Sequence, residues 1–401
     1  MLKNITLQNF FSFGKATTIP LNAGVNILVG INGSGKSNLL KAIRLLREGI
    51  GERKLEKLIQ DSWGGFESVA NFGQQKSEEL SVMVEYSEEF MYFLVSKDHQ
   101  KYITQYFTYW LSLKKEKQSF SILKEKFMSY SGAFIVNIAE NKGTVKAIKN
   151  EKSTTKTFPN DFEDADSIST KESLVWQSNV FTETSLKTCF TEPIVYQYFN
   201  TAENSTIRGA VPFMSDKILQ PSGDNLVHIL QHIKHNHSLE FDKIEGFLSD
   251  INPNFKSIEF MQFNTKAVLA LKEKQLSRTV WAEHISDGTL RFLLLLAILY
   301  NPDRGKMICL DEPENGLHPD MINIIAEGIK YAAGQGTQFL VATHSPLMLN
   351  YFEVADLVVF EKDKDNETIV KTFTSDDFSE EELALLPGNL WLNGKIGGVR
   401  W

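Results

Sequence analysis

Cysteine is scarce. The chain has two in 401 residues, Cys189 and Cys309, and neither belongs to a CxxC pair. That excludes a disulfide framework and a cysteine zinc site, and it fits a reducing cytoplasm. Long apolar runs are missing as well: the longest, within RFLLLLAILY, is about half of the roughly 20 residues a membrane-spanning helix needs. Excess positive charge is absent, with a formal net charge of −8. This argues against a protein that binds nucleic acid over its whole surface, while leaving room for a local basic face. No internal repeat and no sustained heptad pattern occurs, which excludes a long coiled-coil arm. The opening MLKNITLQNF alternates polar and apolar residues, as a strand does and a signal peptide does not. What remains is a soluble, cytoplasmic protein of ordinary globular composition, large enough for one domain or a domain with a lobe.

What is present alternates in type. Val25–Val29 reads as a short buried strand running into Gly30, and Asn38–Arg47 carries helical spacing at Leu39, Leu40, Ile43 and Leu46. Residues 49–80 are rich in glycine and polar side chains and read mostly as loop. Ser81–Tyr86, Tyr106–Leu113 and Phe134–Ile138 are β-rich, and Asn141-Lys142-Gly143 between two alternating runs predicts a hairpin. Residues 150–172 are polar and read as a mobile loop. Residues 173–284 are mixed, with one clear helix near Asn225–His235. From 285 onward, helices at Gly288–Tyr300 and Pro319–Ala332 alternate with strands at Met307–Leu310, Gln338–Thr343 and Asp356–Phe360. That order predicts an α/β fold with a mostly parallel, covered sheet.

The sharpest motif is Gly30-Ile31-Asn32-Gly33-Ser34-Gly35-Lys36-Ser37, followed by Asn38. It fits G-x4-G-K-S and sits between a strand and a helix. Glycines let backbone N–H groups wrap phosphates, Lys36 neutralises β/γ oxygens, Ser37 ligates Mg²⁺, and the helix turns its positive end to the anion. Met307–Glu312 is an apolar strand ending in two acids. Asp311 is expected to hold Mg²⁺ through water and Glu312 to polarise the attacking water, with Glu314 as the alternative base. Upstream, Ser286, Asp287 and Gly288 open an apolar helix: Ser286 suits an N-cap, and Gly288 allows close approach of a phosphate. Downstream, His344 follows another strand and is expected to reach the γ-phosphate.

The order of these motifs resembles the ABC ATPase class, and within it the SMC/RecF-like group. Gly30–Ser37 matches Walker A, Ser286–Thr289 the signature, Met307–Glu312 Walker B, Asn315–His318 the D-loop region and His344 the switch histidine. The phrases SDGTLRFLLLLAILYNP, DEPENGLHPD and THSPLMLN resemble the AAA-21/AAA-15 ATPases. These include the nucleotide domain of OLD-family nucleases and are similar to ATPase subunits of Septu- or PARIS-like anti-phage systems. The resemblance implies an ABC-ATPase head whose nucleotide-binding domain is split: an N-terminal part with the P-loop at 1–80, an inserted antiparallel β lobe at 81–185, a helical or mixed region at 186–284, and a C-terminal part at 285–401. It implies ATP and Mg²⁺ as ligands and Gln74 or Gln75 as the Q-loop residue. It also implies a homodimer or higher homo-oligomer, because each chain carries one set of motifs. A co-encoded nuclease or toxin effector is the expected partner, DNA a possible one, and no membrane is involved. Too few residues follow His344 for a Toprim nuclease domain, and Asp363-Lys364-Asp365 reads as a solvated turn.

Two further features read as structural. The lysine-rich stretches 114–126 and 142–156 have acids interspersed and suit a solvated face. His228 and His232 are spaced i, i+4 on a helix, but the sequence shows no third metal ligand beside them.

Overall fold

The computed structural model describes residues 1–71, 73, 78–87, 94–95, 101–102, 107–117, 119–129, 134–139, 142–149, 152–157, 171–173 and 186–397. A six-stranded sheet carries the site. Its order is Pro193–Tyr196, Met307–Asp311, Gln338–Thr343, Val25–Gly30, Leu357–Lys362 and Thr368–Thr372. The first five strands are parallel and the last is antiparallel. Val25–Gly30 and Gln338–Thr343 are buried at every residue, the mark of a strand covered on both faces.

The covering layers follow from the two-residue period of a strand. Ile27, Val29, Ile308, Leu310, Phe339 and Val341 join one core, with the helices Asp287–Leu299, Pro319–Gly334 and Leu226–Asn236. Leu28, Met307, Cys309, Leu340 and Ala342 point the other way. They join a second core with the helix Lys36–Arg44 and the antiparallel strands. Asp287–Leu299 is apolar almost all round, with Leu290 and every residue from Phe292 to Leu299 buried, as a helix enclosed on all sides must be.

The antiparallel sheet has eight strands, in the order Lys152–Thr157, Lys142–Lys149, Phe134–Ala139, Phe120–Ser129, Phe107–Lys115, Glu79–Tyr86, Leu2–Gln8 and Thr17–Pro20. It therefore joins the first two strands of the chain to those expected as an insertion. Phe134–Ala139 and Lys142–Lys149 pair antiparallel, as the hairpin signal requires. Lys152–Thr157 pairs with Lys142–Lys149, so the stretch expected as a loop starts with a strand, and 158–170 lies outside the described residues. A third sheet, built mainly on Phe255–Phe263 and Lys266–Glu273, packs with the helices Leu226–Asn236 and Ser238–Ile251.

Residues 49–80 differ from the loop reading. Short helical turns run through Leu45–Gly51, Leu55–Lys57, Leu58–Ser62 and Phe66–Val69. Their Ile50, Leu55, Leu58, Ile59, Phe66 and Val69 enter the second core. Glycines and polar residues between them hide a helical spacing of apolar side chains. No helix among the described residues is long and apolar enough to cross a membrane.

Candidate nucleotide site

The glycine loop is shaped by contacts that exclude side chains. A Cβ on Gly30 would come within 2.5 Å of the Phe360 carbonyl oxygen, and one on Gly35 within 2.5 Å of the Thr368 hydroxyl. Gly33 and Gly35 have φ of 79° and 117°, conformations that glycine adopts without a steric penalty. The Thr368 hydroxyl donates to the Ser34 carbonyl at 2.7 Å. It also lies 2.7 Å from the Ser12 hydroxyl, which accepts from the Asn38 amide at 2.8 Å. The loop is thus braced from two sides, with Asn32 and Gly33 exposed at its tip. Gly35 caps the helix Lys36–Arg44 and places no side chain over its first turn. An anion can therefore approach the positive end of the helix.

Lys36 folds onto its own loop, donating to the carbonyls of Gly30 at 2.7 Å and Ile31 at 3.2 Å. Burial pulls its pKa below the ordinary lysine value, against the opposing pull of Glu312, Asp311 and Glu314. Asp311 ends its strand among charges: burial and the Glu312 carboxylate raise its pKa, while Lys36 and hydrogen bonds from Ser37 and Gln197 lower it. Three carboxylates thus face one buried ammonium group. A divalent cation beside Ser37, Asp311 and Gln197 would relieve the repulsion, and hard oxygen donors are the set Mg²⁺ takes. The donor chemistry fits the ion, and the loop fits a nucleotide's phosphates.

Glu312 follows in a left-handed conformation, φ 51°, which costs a non-glycine residue on the order of 1 kcal/mol. Its N–H donates to the Ala342 carbonyl at 2.8 Å. One carboxylate oxygen accepts from the Asn315 amide at 2.6 Å, and the other lies 3.1 Å from His344 Nδ1. His344 leaves the end of the neighbouring strand Gln338–Thr343, so the sheet brings the acid and the histidine together. Glu314 is different: it is buried, accepts from the Thr343 hydroxyl and leaves its second oxygen unpartnered. A cleft of about 410 Å³ opens between Ser37, Gln197, Tyr198, Arg291, Asp311 and Glu312.

Ser286 caps the helix Asp287–Leu299, its hydroxyl accepting from the Thr289 N–H at 3.2 Å. Asp287 is exposed and pairs with Arg208 at 2.5 Å. A Cβ on Gly288 would lie 3.1 Å from the Gly316 carbonyl. These three residues therefore contact the buried Arg208 and the turn after the acidic strand, and they do not join the cluster around Lys36 and Asp311. Gln74 and Gln75 lie outside the described residues.

Two residues went unread in the sequence. Gln197 directly follows the strand Pro193–Tyr196, which pairs in parallel with Met307–Asp311. Its amide reaches Asp311, and its oxygen accepts from Arg44 at 3.3 Å. The signal was the short apolar run Pro-Ile-Val-Tyr ending in a polar residue, the pattern already recognised at Asp311. Arg208 is buried and donates to the carbonyls of Thr201, Ala282 and Ile285 at 2.8, 2.7 and 2.6 Å. It ties the segment after Gln197 to the Ser286 turn.

A parallel sheet with a glycine loop, an acidic strand end, a neighbouring histidine and a Ser-Asp-Gly helix start is the arrangement of an AAA-type ATPase domain. The chain belongs to the AAA_21 family, described as "AAA domain, putative AbiEii toxin, Type IV TA system", whose sequence profile matches residues 25–167 and 209–350. It is 26% identical over 188 residues to an ATP/GTP phosphatase of Helicobacter pylori, covering 45% of this chain and 48% of that protein. It is 44% identical over 57 residues to the chromosome partition protein Smc of Desulfitobacterium hafniense, 14% of this chain and 4% of that one. The chain thus spans about half the length of the phosphatase and a small part of the Smc protein. Its fold matches an Smc head solved bound to the C-winged helix domain of ScpA. That match has a TM-score of 0.54 at 12% identity and covers 94% of this chain and 98% of that one.

Proposed function

We propose that this chain hydrolyses ATP and uses the cycle to join and release a second copy of itself. The observation that carries the reading is the meeting of Lys36, Ser37, Gln197, Asp311, Glu312 and His344 at the ends of adjacent strands. Asn32–Asn38 bind the phosphates through backbone N–H groups, and Lys36 swings from the Gly30 and Ile31 carbonyls to a phosphate oxygen. Ser37, Asp311 and Gln197 hold Mg²⁺, which neutralises phosphate charge when bound. Glu312 accepts a proton from water as the water oxygen bonds to the γ-phosphorus and the bond to the ADP oxygen breaks. His344 keeps Glu312 turned toward that water. Ser286 and Asp287, exposed, and Gly288, half-buried, stand apart from the loop and suit a phosphate held by the other chain. The division into 1–80, 81–185, 186–284 and 285–401 follows the same logic, with the outer two segments supplying the nucleotide site together with Gln197 from the third.

In the cell we place this switch in an anti-phage complex, as the sensor or scaffold beside a co-encoded nuclease or toxin effector. The family's description by a toxin system supports that setting. The similarity to Smc proteins favours a second reading, a DNA-maintenance ATPase, which direct duplex binding without a partner would distinguish.

Complementation tests the shared site. Lys36→Ala and Gly288→Arg should each be inactive alone. Mixed under subunit exchange they should regain part of the activity, since one of the two sites in a mixed dimer is intact. A mixture that exchanges subunits and stays inactive would refute the shared site.

A further inference from the structure

Outside the nucleotide site, one cluster of ligating side chains has no part in the chemistry above. The helix Leu226–Asn236 meets the helix Ser238–Ile251 at His237, the residue between them. His232, on the last turns of the first helix, and His237 both point at Asp303. Their Nε2 atoms lie 2.7 and 3.3 Å from the same Asp303 oxygen. All three ligand atoms fall within 4.8 Å of one another. Ligand atoms about 2.0–2.2 Å from a tetrahedral zinc ion are themselves roughly 3.3 Å apart, so small side-chain adjustments suffice to admit an ion.

The platform is held firmly. Asp303 sits in the turn between the helix Asp287–Leu299 and the strand Met307–Asp311. Its N–H donates to Asn301 Oδ1 at 3.1 Å. Asn301 donates to the Lys217 carbonyl at 2.7 Å, and Arg304 reaches the Asn301 carbonyl at 2.7 Å and Thr337 at 3.2 Å. Behind His232, the Asn236 amide lies 3.1 Å from Nδ1. That contact, with the same nitrogen's donation to the His232 carbonyl at 3.0 Å, orients the ring. Side-chain exposures of 16%, 26% and 38% for His232, His237 and Asp303 leave a path for exchange and room for water.

We infer that His232, His237 and Asp303 form a site for one divalent transition-metal ion of the zinc class, with water completing the coordination. Two imidazoles and one carboxylate suit zinc, cobalt or nickel better than magnesium. The ion clamps the junction of the two helices to the turn that leads into the acidic strand. It acts as a structural staple rather than a reaction centre.

The test uses the full chain, stripped with a chelator and titrated with Zn²⁺ by calorimetry in excess Mg²⁺, which occupies the Asp311 site. The expected result is one tight equivalent per chain, a higher melting temperature, and a low-coordinate visible spectrum with Co²⁺. Asp303→Asn and His237→Asn should each weaken Zn²⁺ binding by more than about 10-fold, and His235→Asn on the same helix should not. Should a variant fail to fold, the wild type still decides. Zn²⁺ should protect His232 and His237, but not His235, from acylation by diethyl pyrocarbonate, read by mass spectrometry. No tight Zn²⁺ equivalent in the wild type, binding that survives both substitutions, or equal acylation with and without Zn²⁺ would overturn the site and leave a plain hydrogen-bonded triad.

Discussion

Lys36 is a buried cation among Glu312, Asp311 and Glu314, and its ammonium group donates to two backbone carbonyls. Removing it takes the lysine's charge from the phosphates and leaves backbone N–H groups and the ion to hold them beside the carboxylates. Lys36→Ala should weaken ATP binding by about 2–4 kcal/mol, as loss of one member of a desolvated charge pair does, measured by calorimetry. Gln197 acts on the ion rather than the phosphates. Gln197→Ala should lower Mg²⁺-dependent turnover by roughly 10–100-fold, the scale for losing a group that supports a metal site, with ATP affinity changed much less. Glu314 offers a pH test. Burial raises its pKa, so the folded protein holds that proton more tightly than the unfolded chain. Its contribution to stability is full below the unfolded value and declines as pH rises through the folded one. Glu314→Gln lacks this titration. Its melting temperature should therefore gain on that of the wild type as pH rises from the unfolded glutamate value through the raised folded one. A constant difference across that range would contradict the assignment.

At the scale of elements, the nucleotide strands were legible because each is buried on both faces and bounded by a distinctive turn. Gln338–Thr343 has the expected bounds, the helix Asp287–Leu299 is shifted by one residue toward the N-terminus from the expected span, and Pro319–Gly334 runs two residues past it. The four-residue strand Pro193–Tyr196 was legible only as a short apolar run ending in a polar residue, not as a neighbour of Asp311. Its role depends on pairing with Met307–Asp311 far along the chain, and no local pattern encodes such a parallel partner. Gln197 was missed for that reason. The turns in 45–69 were missed because their apolar spacing is broken by glycines, although their Ile50, Leu58 and Ile59 are buried. Arg208 shows the same limit: a lone arginine in a polar stretch gives no sign that it will bridge Thr201, Ala282, Ile285 and Asp287. Arg208→Ala should lower stability by about 2–4 kcal/mol, less than for a fully buried pair because Asp287 stays solvated. It should also reduce hydrolysis more than ATP binding, since it loosens the Ser286 turn and not the glycine loop. Thermal melts and separate binding and turnover assays check both.

Across the whole molecule, the parallel sheet divides two cores. One holds the glycine-loop helix and the antiparallel strands, the other the helix that starts at Asp287. The phosphate-binding loop and the Ser286–Gly288 turn therefore belong to opposite layers of the fold. That layering suits the proposed cycle, in which one chain would bind ATP while offering its second motif to another chain. The account rests on chemistry at one atom group, the Glu312 carboxylate held by Asn315 and His344. The most direct measurement is steady-state ATP turnover by the purified chain and by Glu312→Gln, alongside nucleotide affinity. The variant should bind ATP as tightly as the wild type and turn it over roughly 10²–10⁴-fold more slowly. A variant that keeps most of the wild-type rate would contradict it.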